Sequence, residues 1–255
     1  MAAADSTSRQ FGATELDLAL ELALQPLRLG NTELGILYSG GVDSSLLAWE
    51  LRHRPHLTLL TLGSEASTDL RAGRLGAEAL GLPWKGLPLD ERVVSIFEGR
   101  FSSGLAGASP VSKAVLLALG VAIDECPVRS LVCGQGADEL FFGYAHYRGL
   151  TTTEAAQRSN DDLRRLLEHD WPWTQRVAER LGKTIVAPYL AREFQEAAQR
   201  VPLEARLPDE APKAYFREWA RSRGLPESLA ARPKKALQYG SGMERLLRRR
   251  SRAGR

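Results

Sequence analysis

Short apolar segments alternate with longer amphipathic ones over the first 150 residues of the chain. Four short segments, rich in leucine and β-branched residues, are typical of strands: Leu34–Tyr38, His56–Leu62, Trp84–Leu89 and Ser130–Cys133. Apolar residues at three- and four-residue spacing predict helices before and between them: 14–29, 43–54, 71–80 and 109–123. This alternation predicts an α/β, Rossmann-like fold, in which a parallel sheet carries helices on both faces.

The chain after residue 150 has a different pattern, because helical spacing dominates it and prolines interrupt it. The predicted helices span 152–167, 173–181, 191–200 and 212–223. We therefore predict four parts of the chain: a flexible leader over 1–13, an α/β core over 14–150, a mostly helical portion over 151–247 and a basic tail over 248–255. The core and the helical portion together form one domain, and the second completes the site of the first.

Composition excludes several classes of protein. Hydrophobic residues make up 44% of the chain and charged residues 25%, as in ordinary globular proteins. No apolar run approaches the roughly 20 residues of a membrane-spanning helix, and no secretion signal is present, so we expect a cytoplasmic protein. Two cysteines and four scattered histidines are too few for a disulfide framework or a zinc site. The net charge of +3 gives no reason to expect nucleic acid, although the arginines at 248–250 leave RNA binding open.

Glycine and serine dominate the segment that follows the first predicted strand. The segment reads Ser39-Gly40-Gly41-Val42-Asp43-Ser44-Ser45. Glycines allow the backbone to approach a phosphate chain closely, and the N–H groups at the start of the next helix attract anions. We predict a phosphate-binding loop at this position.

A second acidic motif follows the fourth predicted strand. It reads Gly134-Gln135-Gly136-Ala137-Asp138-Glu139-Leu140-Phe141-Phe142-Gly143-Tyr144. Ligands of parallel sheets bind at the carboxyl ends of the strands, where Asp43 and Asp138 would supply carboxylates to the Mg²⁺ of a bound triphosphate. The sequence contains neither the kinase-type P-loop pattern nor the dinucleotide fingerprint at the start of a helix, which disfavours both of those folds.

The first motif resembles the pyrophosphate loop (PP-loop) of the N-type ATP pyrophosphatases. The second motif resembles the C-terminal synthetase domain of asparagine synthetases and of their β-lactam-forming relatives. The resemblance covers roughly residues 14–247 and continues in the same order through further short segments: Ala187-Pro188-Tyr189-Leu190, Lys213 with Arg217, Leu225-Pro226 and Arg232-Pro233-Lys234-Lys235-Ala236.

The resemblance implies an adenine nucleotide alpha hydrolase-like fold and a two-step ligase reaction that uses ATP and Mg²⁺. A small-molecule carboxylate, aspartate in the asparagine synthetases, attacks the α-phosphorus of ATP and forms an acyl-adenylate and pyrophosphate. Ammonia or an amine then displaces AMP. The α/β core would bind the nucleotide in such an enzyme.

The resemblance also implies roles for individual residues. The loop residues Ser39, Gly40, Gly41, Ser44 and Ser45 would bind the pyrophosphate part of ATP. Asp43 and Asp138 would bind magnesium, and Lys234 would be the catalytic lysine, with Lys235 as the alternative. Leu37, Leu62 and Gly134 would line the adenosine pocket, and Asp69 matches an acid on the ribose or substrate side.

Two departures from the family pattern limit these implications. Glutamine-dependent relatives begin with a nucleophilic cysteine on a separate glutaminase domain, whereas this chain begins Met1-Ala2. We therefore expect nitrogen from free ammonia, an amine or a separate glutaminase. Gln135 stands where asparagine synthetases carry a glutamate that takes a proton from ammonium, and an amide cannot act as a general base.

Two alternative functions remain open from the sequence. One is a PP-loop enzyme that adenylates tRNA during its modification, and the other is a non-catalytic ATP-binding subunit. The sequence also leaves open whether the chain forms a homodimer.

Overall fold

A five-stranded, wholly parallel sheet forms the centre of one part of the chain. The computed structural model describes residues 2–101, 105, 107–207, 212–233 and 236–253, and for 2–13 and 253 it describes the backbone only. The strands are β1 (Leu34–Leu37), β2 (Leu57–Gly63), β3 (Trp84–Pro88), β4 (Ser130–Val132) and β5 (Thr184–Val186). Their order across the sheet is β3-β2-β1-β4-β5, which makes β1 the central strand and confirms the predicted α/β class.

Helices connect the strands and follow the sheet. Those of the first part of the chain are α1 (Ala2–Leu29), α2 (Val42–Glu50), α3 (Thr68–Leu80), α4 (Glu91–Phe101), α5 (Pro110–Glu125) and α6 (Ala137–Leu140). Those of the second part are α7 (Thr152–Arg165), α8 (Trp171–Arg180), α9 (Arg192–Arg200), α10 (Leu203–Arg206), α11 (Ala214–Ser222), α12 (Glu227–Ala230), α13 (Leu237–Gly240) and α14 (Met243–Ala253). None of the described helices is both long and apolar enough to cross a lipid bilayer.

The direction of strand addition reverses after β3, and this reversal puts helices on both faces of the sheet. From β1 the chain moves outward through β2 to β3, then returns to place β4 on the other side of β1. Because parallel crossovers are right-handed, α2 and α3 cover one face, and α5 and α8 cover the other. The packing of α2 against α3, and of α5 against α8, agrees with this arrangement. The reversal next to β1 is the position where open α/β sheets bind ligands.

The chain folds into two compact units, each assembled from separated stretches. The sheet unit contains Asn31–Cys133, Asp170–Val186 and Arg232–Arg255. The helical unit contains Met1–Gly30, Gly134–His169 and Ala187–Ala231. A single boundary at residue 150 does not describe these units, and the domain limits drawn from the sequence stay a prediction.

The sheet unit has an aliphatic core. Its central strand is buried along Leu34 and Ile36, and helix α5 is buried along 116–123. That helix is apolar on nearly all sides because it packs against β2 and β3 and against four helices, α4, α8, α13 and α14.

The helical unit has an aromatic core. The ring of Phe141 is stacked with that of Tyr215, with their centroids 6.2 Å apart, and is tilted against that of Phe216, with their centroids 5.0 Å apart. Phe194 and Trp219 extend this cluster, with their centroids 5.9 Å apart. These rings bury large apolar areas, so the second half of the Asp138 motif serves as a packing element of this unit.

Several elements differ from the sequence-based expectations. Helix α1 begins at Ala2, before the predicted start at residue 14, since the alanines at 2–4 favour helix. Strand β5 and helix α4 were not predicted. Residues 248–253 belong to α14, whose apolar side, Met243 and Leu246, is buried in the sheet unit.

Candidate active site

The glycine–serine loop, residues 39–45, joins the carboxyl end of β1 to the first turn of α2. Gly40 has a φ of 71°, a left-handed conformation that favours glycine. Gly41 is the N-cap of α2 in an extended conformation, and no side chain caps the first turn of that helix. The loop therefore presents the start of a helix at the central strand, which is the geometry of an anion-binding site.

Serine hydroxyls stabilise the shape of this loop. The backbone N–H of Gly41 donates to Oγ of Ser39 at 3.3 Å, and Oγ of Ser44 donates to the carbonyl of Gly41 at 3.2 Å. The backbone N–H of Ser39 donates to Oγ of Ser44 at 3.3 Å. These bonds connect the two ends of the loop, so its conformation is set before any ligand binds.

Tyr38 connects the loop to the neighbouring strands. Its hydroxyl lies 3.0 Å from Oγ of Ser45, and its carbonyl accepts a 2.6 Å hydrogen bond from Oγ1 of Thr61. Nε1 of Trp84 donates to the same Thr61 oxygen at 2.9 Å. A chain of hydrogen bonds thus runs from β3 through β2 to the residue that precedes the loop.

Asp43 lies in the first turn of α2 with 2% of its surface exposed. A carboxylate at the positive end of a helix is stabilised by the unpaired N–H groups there. Among the described residues, no three His, Cys, Asp or Glu side chains form a cluster that could hold a metal ion by themselves. Magnesium commonly takes one or two protein carboxylates and completes its coordination with water and phosphate oxygens. The donor set of Asp43 and the loop hydroxyls therefore fits magnesium bound together with phosphates.

Arg232 lies against this loop from a distant part of the chain. Its Nη1 donates to the carbonyl of Ala72, in α3, at 2.8 Å. A Cβ atom added to Gly40 would lie 2.7 Å from that Nη1 and 2.8 Å from that carbonyl oxygen. Arg232 has no role that its sequence motif predicts, because nothing in the local pattern indicates contact with residues 40 and 72.

The residues predicted to line the adenosine pocket lie on different elements. Leu37 is the last residue of β1 and is half-buried, and Leu62 is buried on the adjacent β2. Gly134 belongs to the helical unit. Asp69 is buried in the first turn of α3, where a Cβ added to Gly240 of α13 would overlap its Oδ1. The role of these residues stays a prediction.

In the helical unit, Asp138 lies in the first turn of the short helix α6 and forms an ion pair with Lys213. Its Oδ1 lies 2.7 Å from Nζ of Lys213, and the lysine side chain is 3% exposed. A Cβ added to Gly143 would overlap both side chains, so that glycine makes room for the pair. Lys213 is buried while the Asp138 side chain is 21% exposed, so the loss of Asp138 would remove a partner from a buried lysine charge.

Glu139, the neighbour of Asp138, is a buried carboxyl group. Burial and the adjacent charge of Asp138 raise the pKa of Glu139 to about 7, although a hydrogen bond from Tyr144 opposes this shift. The hydroxyl of Tyr144 donates to Oε1 at 2.6 Å, and Oε2 is buried with no hydrogen-bond partner among the residues that the structure describes. Burial also raises the pKa of Tyr144 well above its usual value. The sequence indicated a role for Asp138 but none for Glu139, because burial of a single side chain cannot be read from its local pattern.

The structure thus brings most of the predicted loop residues together with Asp43 in the sheet unit, and it pairs Asp138 with Lys213 in the helical unit. Gln135 lies half-buried ahead of α6. The predicted catalytic Lys234 and its alternative, Lys235, lie outside the described residues.

The fold is that of an α/β protein with a glycine–serine loop at the carboxyl end of its central strand. A family model described as asparagine synthase matches residues 15–184 and 161–253, and the chain belongs to this family. The chain is 28% identical to a putative glutamine-hydrolyzing asparagine synthetase of Methanocaldococcus jannaschii, over 91% of this chain and 50% of the relative. It is 26% identical to the glutamine-hydrolyzing asparagine synthetase of Gallus gallus, over 89% of this chain and 43% of that protein. The chain spans about half the length of the curated relatives it matches.

Two solved structures are also similar to the chain, at low sequence identity. The tRNA thiolase NcsA of Methanococcus maripaludis matches at 14% identity and a TM-score of 0.40, over 93% of this chain and 80% of that one. The NH3-dependent NAD synthetase of Campylobacter jejuni matches at 14% identity and a TM-score of 0.36, over 78% of this chain and 98% of that one. Family membership rests on the sequence match.

Proposed function

We propose that this chain is the synthetase part of an ATP-dependent, AMP-forming ligase that adenylates a carboxylate and passes the acyl group to a nitrogen nucleophile. Aspartate is the first candidate for the carboxylate because of the family, and ammonia or an amine for the nucleophile. The observation that carries the proposal is the glycine–serine loop at the start of α2, with the buried Asp43 in its first turn.

The proposed reaction has two steps. In the first, a carboxylate oxygen bonds to the α-phosphorus of ATP, the bond from that phosphorus to the bridging oxygen breaks, and the electron pair leaves on pyrophosphate. In the second, nitrogen bonds to the acyl carbon and loses a proton to solvent, and AMP leaves with the oxygen that came from the carboxylate. The loop would bind the β- and γ-phosphates through the N–H groups of α2, where negative charge develops in the first step.

Charged side chains would support both steps. We propose that Asp43 and Asp138 bind magnesium, which when bound neutralises negative charge on the phosphates. Lys213, which pairs with Asp138 in the helical unit, would orient that carboxylate. Lys234 is proposed as the cation that stabilises charge at the α-phosphorus, on the basis of its motif alone.

An isotope experiment tests the proposal. The protein is incubated with ATP, Mg²⁺, ammonium and ¹⁸O-labelled carboxylates, beginning with aspartate, and AMP is analysed by mass spectrometry. We expect one labelled oxygen per AMP and an equal amount of pyrophosphate. Asp43→Asn should slow pyrophosphate release by about 100-fold or more. The matched control is Asp161→Asn, which changes an exposed carboxylate on α7 and should leave the rate unchanged.

Two results would contradict the proposal. ADP and phosphate as the products would show that the β–γ bond breaks, and unlabelled AMP would show that the carboxylate is not adenylated. Gln135 favours one alternative, a subunit that binds ATP without completing amide formation. Tight ATP binding without pyrophosphate release from any carboxylate would support that alternative instead.

A further inference from the structure

Arg232 reaches the glycine–serine loop across a sequence separation of 160 residues. Its guanidinium donates to the carbonyl of Ala72 and lies beside Gly40, the loop residue in the left-handed conformation. Burial raises the pKa of the Tyr38 hydroxyl, and the charge of Arg232 opposes this effect, which places the guanidinium near the residue before the loop as well.

Two features that attract anions therefore meet at one loop. The first is the start of α2, whose N–H groups carry the positive end of the helix dipole. The second is a half-buried guanidinium, which is always charged and matches the geometry of phosphate oxygens with a planar fork of donors.

We propose that Arg232 binds the β- and γ-phosphates of ATP and stays in contact with the pyrophosphate that leaves. This inference rests on the proposed function and adds a binding residue to it. When the bond between the α-phosphorus and the bridging oxygen breaks, the electron pair remains on pyrophosphate, and the new negative charge develops beside the guanidinium. The bond to Ala72 orients Arg232 toward the loop before the nucleotide arrives.

Binding measurements separate this role from a purely structural one. Isothermal titration in the presence of Mg²⁺ would compare pyrophosphate, ATP and AMP for the wild type, Arg232→Lys and Arg232→Gln. The proposed contacts are with the β- and γ-phosphates. We therefore expect Arg232→Gln to lower the affinity for pyrophosphate and for ATP by about 10-fold or more and to leave the affinity for AMP unchanged. Arg232→Lys keeps the positive charge but not the planar set of donors, so it should lose less affinity for pyrophosphate and ATP than Arg232→Gln does.

The matched control is Arg74→Gln, which removes an exposed arginine from α3, the same helix that carries Ala72. It should leave all three affinities unchanged. Thermal unfolding of each variant reports whether the fold is intact, and Arg232→Lys supplies the binding data if Arg232→Gln does not fold.

Two outcomes would overturn the inference while the proposed function stands. Arg232 variants that bind pyrophosphate as tightly as the wild type would show that the guanidinium does not contact it. An equal loss for AMP, ATP and pyrophosphate, together with a lower melting temperature, would assign Arg232 to the structure of the loop alone. If the wild type binds neither ATP nor pyrophosphate, the proposed function fails first.

Discussion

Gly40 satisfies two requirements at once, a left-handed backbone and close contact with other chain segments. Its φ is 71°, and the space where a side chain would begin is taken by the carbonyl of Ala72 and the guanidinium of Arg232. Gly81, at the end of α3, shares only the first requirement, because its φ is 64° but no atom lies within 4 Å of a Cβ added there. The two glycines therefore separate the effect of backbone conformation from that of contact.

This difference predicts the results of two matched substitutions. Gly81→Ala should lower the free energy of unfolding by about 1 kcal/mol, the cost of a left-handed alanine. Gly40→Ala has the same backbone cost and in addition overpacks the contact with Ala72 and Arg232. We therefore expect it to lower the free energy of unfolding by about 2–4 kcal/mol. Chemical denaturation measures both values. Equal losses for the two variants would mean that the packing around Gly40 is not tight.

At the same scale, the sequence indicated the acidic residues better than their partners. Asp43 and Asp138 stand in recognisable motifs, so they could be predicted from local spacing. The contacts of Lys213 and Arg232 could not be predicted, because each residue meets its neighbours only after the chain has folded. A raised pKa such as that of Glu139 depends on burial, which a single sequence does not specify at one position.

At the scale of elements, helix α3 supports the loop through a face of small residues. A Cβ added to Gly73 would overlap Oγ1 of Thr61, and one added to Gly76 would overlap the hydroxyl of Tyr38. The helix can therefore lie close against β2 and against the residue before the loop. The position of the loop depends on the size of these side chains as much as on its own sequence.

Substitution of Gly76 tests this support. Alanine favours helix over glycine by about 1 kcal/mol, but overlap with Tyr38 costs about 1–3 kcal/mol, so Gly76→Ala should destabilise the protein on balance. Gly99→Ala in α4 is the control, because nothing lies within 4 Å of its added Cβ, and it should stabilise by about 0.5–1 kcal/mol.

A double variant identifies the cause. Tyr38→Phe removes the hydroxyl that Gly76→Ala would meet, so the double variant should be more stable than the sum of the two single changes predicts. Additive changes in the free energy of unfolding would mean that Gly76 and Tyr38 are not in close contact.

The elements that the sequence indicated best are those with long periodic patterns. Strands β1 to β4 and helices α3, α5 and α7 were predicted within a few residues of their observed bounds. Strand β5, Thr184–Val186, is as short as β4, but β4 runs directly into the glycine-rich motif that marks its end, whereas β5 lies among helical segments. Its pairing with β4 provides the stabilisation that its own sequence does not reveal.

At the scale of the whole molecule, neither unit is a continuous piece of the chain. The sheet unit needs β5, α8, α13 and α14, all of which follow residue 150. The helical unit needs α1 from the beginning of the chain and α9 from its second half, which pack against each other. Sequence patterns describe neighbours along the chain, so they predicted the class of the fold but not this interleaving.

The interleaving predicts the behaviour of fragments. A fragment of residues 1–150 should lack a cooperative thermal transition, because its sheet ends at β4 and α5 loses three of its four helical neighbours. Circular dichroism and tryptophan fluorescence measure the transition. Co-expression with residues 151–255 should restore it, as each unit then regains its missing segments. A cooperative transition in the fragment alone would contradict this view.

The buried surroundings of α5 also have a consequence for synthesis on the ribosome. The helix is complete at residue 125, but α14, which packs against it, begins only at residue 243. At about 5 to 20 residues per second, roughly 6 to 24 s pass between these points. During that time the side of α5 that packs against α14 has no cover from that helix. Apolar surface that stays exposed in this way favours aggregation, so slow translation prolongs the period of risk.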